Sequence, residues 1–400
     1  MSEVELRKNQ KSFNHGSDFI IFILMTAQDT KRIQSIDILR GIIMVIMALD
    51  HVRDYFGGVR YDPTDLQQAS TVLFFTRWVT NFCAPVFVFL SGTSVFLSMS
   101  RGKTMGEQSR QLLSRGLWLV VLEVTVVRFG WLFDLNYQLV VLQVIWAIGV
   151  SMVCLAGLMW LPRGLVLAIG LVMIAGHNML DSVHPSGRLG IVWDVLHLQG
   201  PLIYHGRVLM VIYPLLPWIG VMAAGYCFGE VFMMDAGRRN KWLYGIGGGA
   251  IALFLLLRGL NVYGDPVPWE RQATVWRTVL SFIKCNKYPP SLLYLLMTLG
   301  PAIVAMPLLE RMGSMGNVFK VFGRVPLFYY ILHIYLIHIL ALAASYFFNG
   351  NAPIGPFSHP EYPLGVVYAV WVAVVVILYL PCLWFMRIKM SHRKWWLSYL

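Results

Sequence analysis

The sequence MALDHVRDYF, residues 47–56, ends a long apolar segment with two aspartates, a histidine and an arginine. His51 directly follows Asp50, and Asp54 lies three residues further on. A neighbouring carboxylate can orient an imidazole and raise its basicity, and such an imidazole removes protons near pH 7. The residue types therefore predict that His51 is a general base and that Asp50 orients its ring.

The same segment carries ionisable residues along one face of a helix. At 3.6 residues per turn, one stripe contains residues spaced by three and four positions: Asp37, Arg40, Met44, Met47, His51 and Asp54. Arg40 and His51 are about 16 Å apart along the axis, so this face reaches toward both ends of the helix. A structural alternative is an Asp37–Arg40 pair at a membrane surface, with His51 ending the helix near water.

Three further polar side chains interrupt later apolar segments. Glu123 lies about 12 Å along a helix from Arg115, which places its carboxyl group near the middle of a bilayer. There it would be protonated or paired with a cation, in a catalytic or a structural role. Gln143 and His333 are single polar residues at similar depth, and each alone would suit a contact between helices. Together with the first helix they predict a polar cavity lined by four helices.

The composition indicates where these helices lie. Of the 400 residues, 57% are hydrophobic and 13% are charged, and the mean hydropathy is +0.63. Several apolar segments approach the ~20 residues that span a bilayer, so we predict an integral membrane protein. The fold is predicted to be all-α, with about ten transmembrane helices near residues 35–56, 78–99, 112–131, 139–160, 163–180, 208–232, 242–259, 289–308, 325–347 and 361–386.

Basic residues follow every second predicted helix, and this pattern indicates the orientation in the membrane. The positive-inside rule then places both termini in the cytoplasm. It places the longer loops near 57–77, 177–207, 259–288 and 348–360 outside. The net charge of +12 is explained by this pattern, so no nucleic-acid partner is predicted.

The chain is predicted to form one membrane domain, residues 32–390, between an N-terminal tail of residues 1–31 and a cytoplasmic C-terminal tail of residues 391–400. The apolar segment at 19–25 is too short to span a bilayer and lacks a cleavage site typical of a secretory signal. The five cysteines show neither a disulfide nor a zinc spacing. We therefore predict no metal site.

Six segments, in order, carry a resemblance to a known family: SIDILRGIIMVIMALDHVRDYF, NFCAPVFVFLSGTSVFLSMS, VLQVIWAIGVSMV, YPLLPWIGVMAAGYCFGE, KYPPSLLYLLMTLGP and GRVPLFYYILHIYLIH. They resemble the bacterial branch of the family that includes heparan-alpha-glucosaminide N-acetyltransferase, within the wider transmembrane acyltransferase group. The resemblance runs from about residue 32 to residue 345. Its most specific parts are the Ser-x-Asp-x-x-Arg-Gly motif that begins at Ser35 and the second helix, FVFLSGTSVFLS. Gln143 and His333 match polar positions of two later shared helices.

The resemblance implies an enzyme of a bacterial inner membrane that takes an acetyl group from cytoplasmic acetyl-coenzyme A and delivers it to a sugar or glycan outside. The family's active histidine lies between the first two shared helices, where residues 57–82 contain no histidine, so His51 takes the role by substitution. Acyl transfer also suits the residues themselves, because a hydroxyl or amine that attacks a thioester needs a general base. Four residues could donate a hydrogen bond to the oxyanion: Gln143, His333, Tyr329 and Tyr330.

Coenzyme A carries phosphates, which basic residues on the predicted cytoplasmic side could bind. These residues are Arg40, Arg101, Lys103, Arg110 and Arg115. The alternative is that the loop at 101–115 is an orientation signal that contacts lipid headgroups.

A transporter or flippase is the alternative class, because it could also have about ten helices with polar residues at the midplane. Many transporters contain two matched halves, and this sequence contains no second copy of its Arg–Gly and Asp–His helix. Acyltransferase is therefore the first hypothesis. The sequence leaves open the acceptor, the acyl chain and the oligomeric state, for which a homodimer is one option.

Overall fold

The computed structural model of the chain describes residues 33–57, 61–351, 355–356, 358, 360–392 and 394–399. The predicted N-terminal tail, residues 1–31, lies outside the described residues. The structure is 73% helix with little strand. Its α-helices are α1 (Gln34–Phe56), α2 (Thr71–Val79), α3 (Cys83–Met99), α4 (Met105–Leu122), α5 (Arg128–Leu132), α6 (Val144–Leu158), α7 (Arg163–Gly176), α8 (Gly187–Leu196), α9 (Leu215–Phe228), α10 (Ala236–Leu260), α11 (Val275–Ile283), α12 (Leu292–Leu309), α13 (Gly313–Arg324), α14 (Pro326–Asn349) and α15 (Leu364–Ser391).

Seven helical segments among the described residues are long and apolar enough to cross a membrane: Thr71–Met99, Arg163–Leu180, Leu215–Met233, Ala236–Leu260, Leu292–Leu309, Pro326–Phe348 and Leu364–Ser391. This is the pattern of a multi-pass membrane protein. Helices also lie at the other three predicted positions, but α1 and α4 carry several charged residues and α6 has 15 residues. The number of ten spans and the location of the termini therefore stay predictions.

Helix α1 lies at the centre of the helical assembly, in contact with α3, α12, α13, α14 and α15. Its closest neighbour is α13, because glycines face each other there. A Cβ atom added to Gly41 would lie 1.8 Å from the Phe319 carbonyl oxygen, and one added to Gly323 would lie 1.9 Å from that of Asp37. Small residues allow membrane helices to approach this closely. The position of α1 thus depends on these two glycines.

The mainly helical fold agrees with the prediction, and it also contains a small sheet that was not predicted. Strands β1 (Leu139–Leu142), β2 (Gly200–Tyr204) and β3 (Arg207–Val211) form a sheet of order β1-β3-β2. Strand β3 pairs in parallel with β1 and antiparallel with β2. The sequence analysis had placed β1 and β3 at the starts of membrane helices. Short apolar segments rich in Val and Leu do not distinguish a strand from a buried helix by composition alone.

The last described residues of the chain contact α4. Helix α15 ends at Ser391, and a short 3₁₀ segment, Trp395–Ser398, follows. Leu397 is buried, and the Tyr399 hydroxyl lies 2.7 Å from the Ser114 hydroxyl. The segment predicted as a C-terminal tail is therefore part of the folded domain where it is described.

Candidate active site

Two cavities open at opposite ends of α1. The first, called here the Arg40 cavity, has a volume of about 1030 Å³. The second, called here the His51 cavity, has a volume of about 1090 Å³. Met47, Phe87 and Val144 line both of them. The two cavities therefore meet at a wall formed by these three side chains.

His51 and His333 form a hydrogen-bonded pair between α1 and α14. Nδ1 of His51 lies 2.7 Å from Nε2 of His333, and the stacked rings have centroids 4.9 Å apart. Nδ1 of His333 lies 3.0 Å from the Tyr329 carbonyl oxygen, which can only accept, so His333 carries its proton on Nδ1. Nε2 of a neutral His333 must then accept the hydrogen bond from Nδ1 of His51. This arrangement places the proton of His51 on Nδ1 and its lone pair on Nε2. A general base that acts in the cavity requires this tautomer.

Two buried hydrogen-bond donors lie beside the His51 ring. The ring centroids of Trp131 and Tyr330 are 4.9 Å and 6.1 Å from that of His51. Although they lie close to one another, neither the Trp131 indole nitrogen nor the Tyr330 hydroxyl makes a hydrogen bond of acceptable geometry. Buried donors are almost always paired, so these two are candidate donors to a bound oxyanion. The sequence analysis identified Tyr330 and missed Trp131.

Asp50 does not orient His51 in the way that the sequence predicted. Its carboxylate accepts hydrogen bonds from Arg77 at 2.9 and 2.8 Å and from Thr80 at 3.0 Å, and it pairs with Arg53 at 2.8 Å. Neighbouring residues of an α-helix point about 100° apart, so the Asp50 side chain faces another direction from that of His51. The expected hydrogen bond between them is not formed, and His333 takes that place.

Glu123 is buried and caps the start of α6. Its carboxylate oxygens lie 3.2 Å from the Gln143 backbone nitrogen and 3.1 Å from that of Trp146. The first amides of a helix have no partner within the helix, and Glu123 provides one. In the described part of the chain no cation pairs with Glu123, so the arrangement agrees with the structural alternative. Gln143, predicted for the site, lines the His51 cavity.

Most of the charged residues that line the Arg40 cavity are basic: Arg40, Arg101, Arg115, Arg324 and Lys389. The acidic residue of the lining, Asp37, lies 3.3 Å from Arg324 and 3.8 Å from Arg40. Arg40 also donates a hydrogen bond of 2.8 Å to the Ser94 hydroxyl. Arg324 and Lys389 are among the basic residues that follow every second predicted helix, which the sequence analysis had interpreted only as orientation signals.

Two residues of the predicted basic group, Lys103 and Arg110, do not line this cavity. The exposed Lys103 ammonium group donates a hydrogen bond to the side chain of Gln111. Arg110 is also exposed, because it lies five residues before Arg115 and therefore about 140° away from it around α4. Arg101, before α4, and Arg115, within α4, therefore line the cavity, whereas Lys103 and Arg110 lie at the surface of the protein.

The His51 cavity also contains cations that the sequence analysis did not identify. Arg77 and Lys287 line it, and Lys287 lies 3.9 Å from Asp50. Burial raises the pKa of the neighbouring Tyr288, but the charges of Lys287 and Arg77 lower it more, so this pKa lies below its usual value. The position of Arg77 inside an apolar segment was a signal in the sequence that could have identified it as a candidate site residue. No pattern in the sequence indicates that the loop containing Lys287 lies next to the first helix.

Comparison with known proteins identifies the family of the chain. The profile of the family described as heparan-alpha-glucosaminide N-acetyltransferase, catalytic, matches residues 32–262. A comparison with curated proteins gives no match. The matched residues include His51, Glu123 and Gln143, and the match ends before His333. Because it covers more than half of the chain, the chain belongs to the heparan-alpha-glucosaminide N-acetyltransferase family of transmembrane acyltransferases.

Proposed function

We propose that this protein transfers an acetyl or other short acyl group from acyl-coenzyme A in the Arg40 cavity to a hydroxyl or amine in the His51 cavity. The observation that supports this most strongly is the wall that the cavities share. A donor in one cavity and an acceptor in the other would meet at Met47, Phe87 and Val144. Both volumes are at the upper end of those typical of small-molecule sites.

Charge supports coenzyme A as the ligand of the Arg40 cavity. Guanidinium groups bind phosphate through pairs of hydrogen bonds, and coenzyme A carries three phosphates. Arg40 and Arg324 interact with Asp37. Among the described residues, neither Arg101 nor Arg115 forms an ion pair with a carboxylate. These two side chains are therefore the ones that we assign to the phosphates.

The groups around His51 can complete the transfer. The acceptor attacks the thioester carbonyl carbon while Nε2 of His51 takes the acceptor's proton. The Nδ1–H of the resulting imidazolium stays hydrogen-bonded to His333. Trp131 and Tyr330 donate to the oxyanion, the carbon–sulfur bond then breaks, and His51 returns the proton to the departing thiolate.

The polar lining of the His51 cavity favours a sugar or glycan as the acceptor. Amide and indole side chains line it: Trp78, Asn81, Gln143, Gln199 and Asn286. Amide groups can both donate to and accept from sugar hydroxyls, and an indole ring presents an apolar face with one donor. A transporter would also suit two cavities at opposite ends of one helix. Cleavage of acetyl-coenzyme A by the purified protein separates the two, because a transporter leaves the thioester intact.

We place the Arg40 cavity on the cytoplasmic side and the His51 cavity outside, from the alternation of basic loops. The family resemblance, and not the loops, is what suggests a bacterial inner membrane. In a variant without native cysteines, Val275→Cys is expected to react with an impermeant maleimide in intact cells, and Met315→Cys is expected to react only after lysis. Both positions are exposed, at 83% and 64%, so accessibility within the protein does not limit either reaction. The reverse labelling pattern would invert the proposed orientation.

The donor assignment predicts a difference between two pairs of charges. Changing Arg101 and Arg115 together to Gln is expected to raise the KM for acetyl-coenzyme A about tenfold or more, with little change in kcat. The reason is that phosphate contacts remote from the reacting carbon contribute equally to ground-state and transition-state binding. The measurement is the initial rate of thioester cleavage against donor concentration.

The matched control removes the same charge from the same loop. Lys103→Gln with Arg110→Gln is expected to leave the donor KM unchanged, because neither residue lines the Arg40 cavity. An equal rise of KM in both double variants would indicate a general effect of charge near the membrane. No rise in either would remove the 101–115 loop from the donor site.

A further inference from the structure

A cluster of two histidines and one aspartate lies where α7 ends, outside the lining of both cavities. His177 begins the 3₁₀ segment that continues α7, Asp181 directly follows that segment, and His197 follows the last residue of α8. Each residue offers one ligand atom, and these atoms lie within 4.8 Å of one another. Asp181 and His197 also form a hydrogen bond of 3.0 Å.

The two histidines are buried without sufficient hydrogen-bond partners. His177 is 1% exposed and His197 is fully buried. Neither ring nitrogen of His177 makes a hydrogen bond of acceptable geometry, and neither does Nδ1 of His197. Buried polar atoms almost always have a partner, because an unpaired one has lost its hydration without compensation. A bound cation would supply the missing partner for a lone pair on each ring.

The surrounding groups resemble those that support metal ligands. Asn178 donates a hydrogen bond of 3.0 Å to Asp181 and accepts one of 3.0 Å from the Leu292 backbone nitrogen. The Pro290 carbonyl group lies close enough to interact with the His177 ring. Histidines that bind a metal usually donate their other N–H to a carbonyl or carboxylate, and ligating carboxylates are usually hydrogen-bonded.

We propose that His177, Asp181 and His197 bind one divalent transition-metal ion, for which Zn²⁺ is the best fit. Two imidazoles with one carboxylate match zinc, whereas Mg²⁺ and Ca²⁺ prefer sites made of oxygen ligands. Three protein ligands leave the fourth tetrahedral position to water. Cysteine spacing gave no sign of this site, but the His–Asp spacing of four residues, which would place both side chains on one face of an α-helix, was an available signal.

The ion would stabilise one wall of the His51 cavity. His197 lies two residues before Gln199, which lines that cavity. The hydrogen bond that the Leu292 backbone N–H donates to the Asn178 side chain fixes the start of α12, directly after the segment that contributes Lys287 to the same cavity. The ion therefore joins α7 and α8 to this segment from outside the site of reaction. The proposal does not depend on the proposed acyl transfer.

The test uses the full chain, purified in detergent with an affinity tag that contains no histidine. After treatment with a chelator, the protein is titrated with Zn²⁺, and with Co²⁺ as a spectroscopic probe. We expect about one ion per chain, visible d–d absorption typical of tetrahedral Co²⁺ and a rise of Tm by several degrees on addition of Zn²⁺, because a ligand that binds the native state stabilises it.

Two Asn variants test the proposed ligands, and a third serves as the control. His177→Asn and Asp181→Asn are each expected to weaken Zn²⁺ binding by a factor of ten or more and to abolish the Co²⁺ absorption. His205→Asn, which changes an exposed histidine outside the cluster, is expected to bind as the unmodified protein does. The unmodified protein tests the proposal even if a variant fails to fold. Absence of saturable Zn²⁺ binding there, or unchanged binding in the two ligand variants, would overturn it.

Discussion

His51→Ala is expected to lower the kcat/KM of acyl transfer by a factor of about 10² to 10⁴, with little change in the affinity for acetyl-coenzyme A. The structure places the lone pair of His51 on Nε2 through the hydrogen bonds that connect it to His333 and Tyr329. Alanine removes the proton acceptor but leaves the Arg40 cavity unchanged. The measurement is the release of free thiol from acetyl-coenzyme A in the presence of glucosamine as a probe acceptor.

His333→Ala should lower kcat/KM less, by about tenfold to a hundredfold. The reason is that His51 can still accept the proton but has lost the partner that fixes its tautomer. The double variant should be no less active than His51→Ala, since the two rings act as a unit. His338→Ala is the matched control, as this histidine is equally buried on the same helix and hydrogen-bonds Gly130 instead. An active His51→Ala protein beside an inactive His333→Ala protein would assign the base to His333.

Gly41→Ala is expected to reduce the yield of folded protein sharply and to lower the Tm of what remains. The new Cβ atom would lie 1.8 Å from the backbone oxygen of Phe319, so α1 and α13 would have to separate. Forcing atoms into a close-packed contact typically costs about 1–3 kcal/mol, and a rigid backbone neighbour gives little relief. The measurement is fluorescence-detected size-exclusion chromatography with a thermal ramp in detergent.

Gly249→Ala provides the control for the conformational effect of replacing a helical glycine. A Cβ atom at Gly249 would meet no atom within 4 Å, so the substitution should leave Tm unchanged or raise it slightly. Gly323→Ala, on the other side of the contact, should behave like Gly41→Ala. A Gly41→Ala protein as stable as the Gly249→Ala protein would contradict the close approach of α1 and α13.

The sequence was informative where a property depends on one helix. The face of α1 that carries Arg40 and His51 was predicted from helical periodicity, and these residues line different cavities at its two ends. A helix also lies at each predicted span, although two spans begin as strands and three helices, α8, α11 and α13, lie in segments predicted as loops. Periodicity and hydropathy are local properties, so they are readable before any tertiary contact is known.

Properties that depend on contacts between distant segments were not predictable in the same way. The sequence identified both His51 and His333, but no pattern shows that residues 282 positions apart share a hydrogen bond. It assigned Asp50 to His51 because they are neighbours in sequence, whereas the Asp50 carboxylate accepts hydrogen bonds from Arg77 of the following helix and pairs with Arg53 one turn further along its own helix. Glu123 was recognised as buried, but its role depends on where α6 begins. These features follow from how the helices pack.

The wall formed by Met47, Phe87 and Val144 also bears on cellular metabolism. In the proposed transfer the donor binds in the Arg40 cavity, so coenzyme A would stay in the compartment where it is acylated and the acyl group alone would pass to the other side. The free energy of cleaving the thioester, rather than an ion gradient, would then drive the transfer of the acyl group across the membrane. The rate of acylation outside would depend on the cytoplasmic ratio of acyl-coenzyme A to free coenzyme A. The extent of acylation at the outer surface would therefore vary with the carbon metabolism of the cell.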